Sequence, residues 1–154
     1  MDATPTRLVL PSQMRVVEVG MRDGLQSVRR TLPTTEKLRL VESLIDAGIK
    51  GIEVTSFAHP KVLPQMADAE RLLAGVPRDR GVRYRGLVPN AKGAERAVNS
   101  GVDEIVALTC TDVDVTMIDQ RRTHPQMWDE LDEIFQVSGG IPVTVAIVMS
   151  FFAY

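Results

Sequence analysis

The stretch Val17–Gln26, V-E-V-G-M-R-D-G-L-Q, joins the end of an apolar run to a group of charged and glycine residues. The run begins at Arg15 and is rich in β-branched side chains, so Arg15–Gly20 is predicted to be a strand. The charged residues then fall on the loop that follows the carboxyl end of this strand, which is where α/β proteins place ligand chemistry. The position of this group therefore bears directly on which α/β fold the sequence adopts.

Apolar runs and helical patterns alternate along the rest of the chain. Further strands are predicted at Gly51–Thr55, Val82–Val88, Glu104–Leu108 and Val143–Met149, and helices at Thr34–Ala47, Gln65–Ala74, Ala91–Ser100 and Pro125–Val137. Strict alternation of this kind predicts a parallel sheet that is covered on both faces. We expect an α/β fold with about five parallel strands and four helices. This count fits a doubly wound sheet or part of a (β/α)8 TIM barrel, since a complete barrel takes about 250 residues.

Composition excludes several classes of partner. The 154 residues are 44% hydrophobic and carry a formal net charge of −2, so nothing favours binding to nucleic acid or to an anionic membrane. Cys110 is the only cysteine, which rules out an intrachain disulfide and fits a reducing, cytoplasmic location. Residues 1–14 are interpreted as a short disordered leader, and residues 15–154 as part of a single domain.

Arg22 and Asp23 are adjacent side chains of opposite charge. An aspartate at a strand end is a hard oxygen ligand for a divalent cation. An arginine beside it can hold the charge of an enolate or a carboxylate. Gln26 adds both a donor and an acceptor. A surface turn with a local ion pair remains an equally simple interpretation.

Glu53 lies inside a predicted strand, between Ile52 and Val54. A buried carboxylate is costly unless it is paired, so Glu53 and Glu18 could hold the Arg22 guanidinium if both point inward. Alternatively each glutamate pairs with a structural arginine or lies at a sheet edge. Ser56, at the end of the same strand, could line a pocket or close a turn.

The remaining candidate side chains are expected to be structural. His59 and His124 each precede a proline, which places them in loops or at a helix start, and we predict that neither binds a metal. Cys110 has no basic neighbour in sequence that would make it a thiolate, so it is predicted to be a core or pocket-lining residue. Asn90 is predicted to cap the amino terminus of a helix.

Val17–Gln26 resembles the R-D-G motif of the 3-hydroxy-3-methylglutaryl-CoA lyase family, with Met21 where that branch typically has proline. The family comprises metal-dependent TIM-barrel lyases with a pyruvate carboxyltransferase-like domain. The resemblance continues through I-E-V-T-S-F (Ile52–Phe57), P-K-V-L-P-Q-M (Pro60–Met66) and L-V-P-N-A-K-G (Leu87–Gly93). Because four motifs occur in the same order, the chain resembles the N-terminal portion of the members of this family.

The resemblance implies a barrel with its site at the carboxyl ends of the strands. Asp23 would bind a divalent cation, Mg2+ or Mn2+, and Arg22 would stabilise an enolate oxygen. Glu53 would orient Arg22, while Gln26, joined by Ser56 if its hydroxyl lines the pocket, would contact the acyl-CoA substrate. The implied reaction, part of leucine degradation, is a retro-Claisen cleavage of 3-hydroxy-3-methylglutaryl-CoA to acetoacetate and acetyl-CoA.

The sequence also departs from the family pattern. The H-x-H metal ligands, an asparagine ligand and a catalytic cysteine of the family all come later than Ser150–Tyr154. We therefore expect the chain alone to bind the cation weakly, to have negligible activity, and to expose an unpaired edge at its last strand. Two alternatives stay open: a related synthase that condenses an acyl-CoA with a 2-oxo acid, and a non-catalytic half-barrel that pairs with its own copy as a homodimer.

Overall fold

The computed structural model describes residues 11–151, except for the side chains of Asp119 and Gln120. Four parallel strands form one sheet, in the order in which they occur in the chain. They are β1 (Gly51–Ser56), β2 (Arg83–Val88), β3 (Glu104–Cys110) and β4 (Val143–Val148). A doubly wound sheet reverses its strand order at a switch point, whereas a barrel does not. The observed order therefore confirms the parallel α/β sheet and favours the barrel alternative.

The helices lie between the strands. They are α1 (Thr34–Asp46), α2 (Ala69–Gly75), α3 (Ala91–Asn99), α4 (Val113–Val115) and α5 (His124–Val137). All four predicted helices are present, although the one expected at Gln65–Ala74 is divided into a 3-10 turn, Pro64–Met66, and α2. The predicted cap of α3 is confirmed, because the Asn90 side chain accepts a hydrogen bond from the Gly93 N–H at 2.8 Å. The short α4 was not predicted, since three residues carry no helical periodicity.

The segment Arg15–Gly20 forms less of a strand than its composition predicts. It makes a single β-bridge to β1, in which the Glu18 N–H donates to the Gly51 carbonyl at 2.9 Å and the Glu53 N–H donates to the Glu18 carbonyl at 2.8 Å. The chain then enters a π-helical turn, Gly20–Gly24. The prediction of a strand over Arg15–Gly20 is wrong in extent, because the segment pairs on one side only and turns away after two hydrogen bonds.

Side chains alternate between the two sides of the sheet. The side that faces the helices is apolar and fully buried, and its members include Ile52, Val54, Tyr84, Val88, Ile105 and Ala107. They pack in one cluster with residues of α1, α2 and α5. Burial of each larger aliphatic side chain, such as Ile52 or Ile105, contributes about 1.5–3 kcal/mol, so this side holds the layers together. The opposite side, here called the inner side, carries charged residues in three neighbouring strands.

Gly86 in β2 allows the Phe57 ring to approach the strand closely. A Cβ atom at Gly86 would lie 2.7 Å from Cε2 of Phe57, which no real side chain could tolerate without movement. The Phe57 ring also lies 5.6 Å from the Arg96 guanidinium, and the Phe57 carbonyl accepts a hydrogen bond from Arg96 at 3.0 Å. The end of β1 is thereby attached to both β2 and α3.

Two further predictions concern the ends and the surroundings of the chain. Among residues 11–151, no helix combines the length and the apolar character that crossing a bilayer requires. The leader predicted for residues 1–14 lies mostly outside the described residues, as do residues 152–154.

Candidate active site

The π-helical turn after Glu18 positions Arg22 against the inner side of the sheet. The N–H groups of Arg22 and Asp23 both donate to the Val19 carbonyl, at 3.0 and 2.7 Å. The Arg22 Nε donates to Oε1 of Glu53 at 2.5 Å. The Arg22 side chain is 16% exposed and that of Glu53 is 1% exposed, so the pair is largely shielded from water. The structure therefore brings together the two residues that the sequence suggested would meet.

Asp23 and Gln26 lie on the solvent side of this pair. Oδ1 of Asp23 accepts hydrogen bonds from Arg22 Nη1 at 2.7 Å and from Gln26 Nε2 at 3.1 Å. The Asp23 side chain is 57% exposed. Arg22 is thus held between a buried carboxylate on its Nε and an exposed carboxylate on its Nη1, and Gln26 supports the exposed one.

Two other residues near the site are engaged elsewhere. Glu18 does not hold Arg22, because its Oε1 accepts a hydrogen bond from the nearby Gly20 N–H at 2.5 Å. Ser56 is fully buried, and its hydroxyl accepts a hydrogen bond from the Ala58 N–H at 3.2 Å. Ser56 therefore closes the turn after β1, which was one of the two interpretations open from the sequence.

Glu53 is one member of a chain of ion pairs across the inner side, which we call the ionic row. Oε2 of Glu53 accepts from Arg85 Nε at 3.1 Å and lies 3.0 Å from Arg85 Nη2. Arg85 Nη1 donates to Oε1 of Glu104 at 3.3 Å, and Arg15 donates to Oε2 of Glu104 at 2.7 Å. The row thus alternates in charge along Arg22, Glu53, Arg85, Glu104 and Arg15.

Strand register creates the centre of the ionic row. Arg85 is paired in register with Glu53 of β1 and with Glu104 of β3. Neither Arg85 nor Glu104 was predicted from the sequence to be a site residue. The available signal was a charged residue within, or at the start of, each of three apolar strands, since such residues need partners when they are buried.

Glu104 lies between Arg85 and Arg15 in the ionic row. Burial alone would raise the pKa of Glu104. The hydrogen bond from Thr144, together with the charges of Arg15 and Arg85, outweighs burial and lowers that pKa below its ordinary value. Thr144 Oγ1 donates to Oε1 of Glu104 at 2.8 Å, so the carboxylate is held from three directions.

The two histidines contact neighbouring residues, and the cysteine is buried. The Lys61 N–H donates to His59 Nδ1 at 3.1 Å, and His124 Nε2 lies 3.3 Å from Thr116 Oγ1 at the start of α5. Cys110 is buried at the end of β3, 7% exposed, in agreement with the prediction of a core or pocket-lining residue.

Asp23 suits a divalent cation chemically, but it stands alone. It offers an exposed, hard carboxylate oxygen. Mg2+ takes about six oxygen ligands, some of them water. Within the described part of the chain, no three His, Cys, Asp or Glu side chains lie close enough together to hold a metal ion. Asp23 therefore fits as one ligand of a larger site, and the described residues do not form a complete site by themselves.

Comparison with known proteins places this geometry in a family. Residues 13–139 match the family described as HMGL-like. Over 103 residues the chain is 46% identical to the mitochondrial hydroxymethylglutaryl-CoA lyase of Mus musculus, covering 67% of this chain and 32% of that protein. Over 128 residues it is 40% identical to a 3-hydroxy-3-isohexenylglutaryl-CoA/hydroxy-methylglutaryl-CoA lyase of Pseudomonas aeruginosa, covering 83% and 42%.

Solved structures agree with this result. An HMG-CoA lyase from Acinetobacter baumannii, in complex with coenzyme A and 3-methylmalate, superimposes with a TM-score of 0.83 at 33% identity, covering 89% of this chain and 45% of that one. The HMG-CoA lyase of Brucella melitensis gives a TM-score of 0.81 at 35% identity, covering 86% and 48%. The chain thus spans a third to a half of these relatives and has the fold of part of a TIM barrel. Its sequence and its structure together show that the chain belongs to the HMGL-like family.

Proposed function

We propose that this chain supplies the arginine side of the active centre of an acyl-CoA carbon–carbon lyase. The observation that carries the proposal is the position of the Arg22 guanidinium, which Glu53 holds at Nε and Asp23 holds at Nη1. Among the described residues, Nη2 of Arg22 has no hydrogen-bond partner. A cation that is fixed on two sides and open on the third is prepared to meet an oxygen that gains negative charge during a reaction. Membership of the HMGL-like family supports this chemistry.

The reaction proposed is the retro-Claisen cleavage of 3-hydroxy-3-methylglutaryl-CoA. A base takes the proton of the tertiary hydroxyl, whose oxygen becomes the ketone oxygen of acetoacetate. The electron pair of the broken carbon–carbon bond passes to the thioester fragment, which becomes an enolate and then takes a proton to give acetyl-CoA. Arg22 donates to the enolate oxygen as its charge develops. A divalent cation bound in part by Asp23 would polarise the substrate oxygens.

The other site residues have supporting roles in this proposal. Glu53 orients Arg22, since it accepts a charge-assisted hydrogen bond from the Arg22 Nε. Gln26 donates a hydrogen bond to Asp23 and would contact the substrate. The Ser56 hydroxyl would have to release the Ala58 N–H before it could contact a ligand. A cytoplasmic location, a role in leucine degradation and a homodimer remain predictions.

A chimeric enzyme tests the proposal. Residues 13–139 would replace the matching segment of the Pseudomonas aeruginosa lyase, which supplies the remainder of a complete enzyme. We expect the chimera, with Mg2+ or Mn2+, to release acetoacetate and acetyl-CoA from 3-hydroxy-3-methylglutaryl-CoA. A folded chimera that cleaves no substrate, under conditions in which the parent enzyme does, would contradict the proposal. Condensation of acetyl-CoA with a 2-oxo acid would instead favour a synthase. The unmodified chain is assayed in parallel, and robust turnover there would contradict its expected inactivity.

A further inference from the structure

Both oxygens of the Glu53 carboxylate are occupied by arginine. Oε1 accepts from Arg22 Nε, and Oε2 is approached by Nε and Nη2 of Arg85. Two nitrogen atoms of Arg85 contact the same oxygen, so each oxygen of the carboxylate has its own arginine partner. Glu53 is therefore placed by Arg85 on one side and presents its other oxygen to Arg22.

Arg85 is itself fixed at a point that does not depend on Arg22. Its Nη1 donates to Glu104, whose carboxylate is 4% exposed and is also held by Thr144 and Arg15. The Arg85 side chain is 19% exposed and extends from the middle strand of three. Arg85 consequently connects the Glu104 carboxylate, which Thr144 and Arg15 also hold, to the carboxylate of Glu53.

We propose that Arg85 is a positioning residue, which sets the direction of Arg22 by fixing Glu53. This inference rests on the proposed function for its catalytic meaning but not for its structural content. Without Arg85, the carboxylates of Glu53 and Glu104 share the inner side of the sheet with one cation fewer, and Glu53 gains freedom to rotate. Arg22 then keeps a carboxylate partner, but its guanidinium no longer has one defined orientation. The loss of alignment should weaken the interaction of Arg22 with the transition state more than it weakens substrate binding.

Arg15 provides a matched control within the same ionic row. It is also an arginine bound to Glu104, at 2.7 Å, but it is 49% exposed and its ion pair does not involve Glu53. If the row acts only through overall stability, Arg15→Met and Arg85→Met should have similar effects on Arg22. If Arg85 positions Glu53, only Arg85→Met should affect Arg22.

The primary test measures hydrogen exchange at the Arg22 Nε–H by NMR, in the full chain and without any assay of activity. We expect Arg85→Met to accelerate this exchange by about tenfold or more relative to backbone amides of β3, and Arg15→Met to leave it within about twofold. Arg85→Lys, which keeps the charge but loses the two-nitrogen contact, should give an intermediate rate. Unchanged exchange in Arg85→Met, or equal acceleration by Arg15→Met, would overturn the proposal. If Arg85→Met does not fold, Arg85→Lys is used in its place. Faster exchange in Arg85→Lys then supports the proposal, and unchanged exchange overturns it.

A second arm uses the chimeric enzyme. Arg85→Lys should lower kcat with KM nearly unchanged, because substrate binding does not require the final alignment of Arg22. A rise in KM with unchanged kcat would contradict the positioning role. If the chimera with the native residues is inactive, the proposed function fails, yet the exchange experiment still tests the role of Arg85 in the fold.

Discussion

The two sides of the sheet are built from alternating residues of the same strands, yet different forces hold them. The helix-facing side buries Ile52, Tyr84 and Ile105 in a continuous apolar cluster. The inner side at the same level carries Glu53 and Arg85 in direct ion pairs. Apolar burial depends on area and is largely insensitive to direction, whereas ion pairs and hydrogen bonds depend on which atoms face each other.

This difference separates stability from function in the molecule. A change on the helix-facing side should cost folding free energy and leave the orientation of Arg22 intact. A change on the inner side should alter that orientation, or the pH dependence of folding, with a smaller effect on the cohesion of the layers. Each of the following experiments compares a residue on one side with a matched surface residue.

The largest effect is expected at Arg22. In the chimeric enzyme, Arg22→Met should lower kcat by roughly a thousandfold, or about 4 kcal/mol of transition-state stabilisation, because one preorganised donor is lost. Steady-state kinetics would measure it. Arg30→Met is the control, since Arg30 is 72% exposed in the same loop region and pairs with Glu36 at the surface. An equal loss of kcat in the two variants would show that Arg22 has no specific role in catalysis.

The next largest effect is expected at Ile105 on the helix-facing side. Ile105→Ala should reduce the free energy of unfolding by about 3 kcal/mol, because the side chain is fully buried and the cavity can close only in part. Urea denaturation of the chain measures this change. Ile118→Ala, at a position that is 76% exposed, should shift stability by less than about 0.5 kcal/mol. A rapid Arg22 Nε–H exchange in folded Ile105→Ala would show that the two sides are not separable.

The smallest effect is expected in the stability of the folded chain at acid pH, where Glu104 takes up a proton. Because its pKa in the folded chain lies below the ordinary value of 4.5, the unfolded chain binds this proton first as the pH falls. The stabilisation that the Glu104 carboxylate contributes to the fold is complete above pH 4.5 and is lost as the pH falls through the pKa of Glu104 in the folded chain. Glu104→Gln should therefore lose stability less steeply than the native chain as the pH falls below 4.5.

Urea unfolding at a series of pH values measures that slope. Glu36→Gln, at a side chain that is 43% exposed, controls for the removal of one carboxyl group. An acid slope in Glu104→Gln as steep as in the native chain would show that the ionic row does not favour the charged form of Glu104.

Most of the helix-facing side could be predicted from the sequence. Helical periodicity identified four helices, and apolar runs identified β1 to β4, because burial leaves a local pattern that a short window reveals. The segment Arg15–Gly20 misled the prediction for a physical reason. Its β-branched residues favour extended backbone, but a strand also needs neighbours, and within residues 11–151 this segment has one neighbour, β1, with two hydrogen bonds to it.

The inner side was only partly predictable. The contact between Arg22 and Glu53 followed from the R-D-G stretch and from a carboxylate placed inside a strand. Arg85 was missed because its partners lie 32 and 19 residues away in sequence, and alternation predicts a side of the sheet but not the residue opposite. Glu18 was suggested as a second partner of Arg22, yet the Gly20 N–H two residues away satisfies it locally.

The gap that Gly86 leaves in β2 has a consequence for the charges on the other side of that strand. The Phe57 ring occupies the space where a side chain would stand, which favours the observed alignment of β1 and β2. If β1 slid by two residues, which keeps each side chain on its own side of the sheet, the ring would lie beside Tyr84 or Val88 instead of Gly86, and Glu53 would no longer lie opposite Arg85. The packing of the Phe57 ring against Gly86 on the helix-facing side thus helps to determine that Glu53 and Arg85 meet on the inner side.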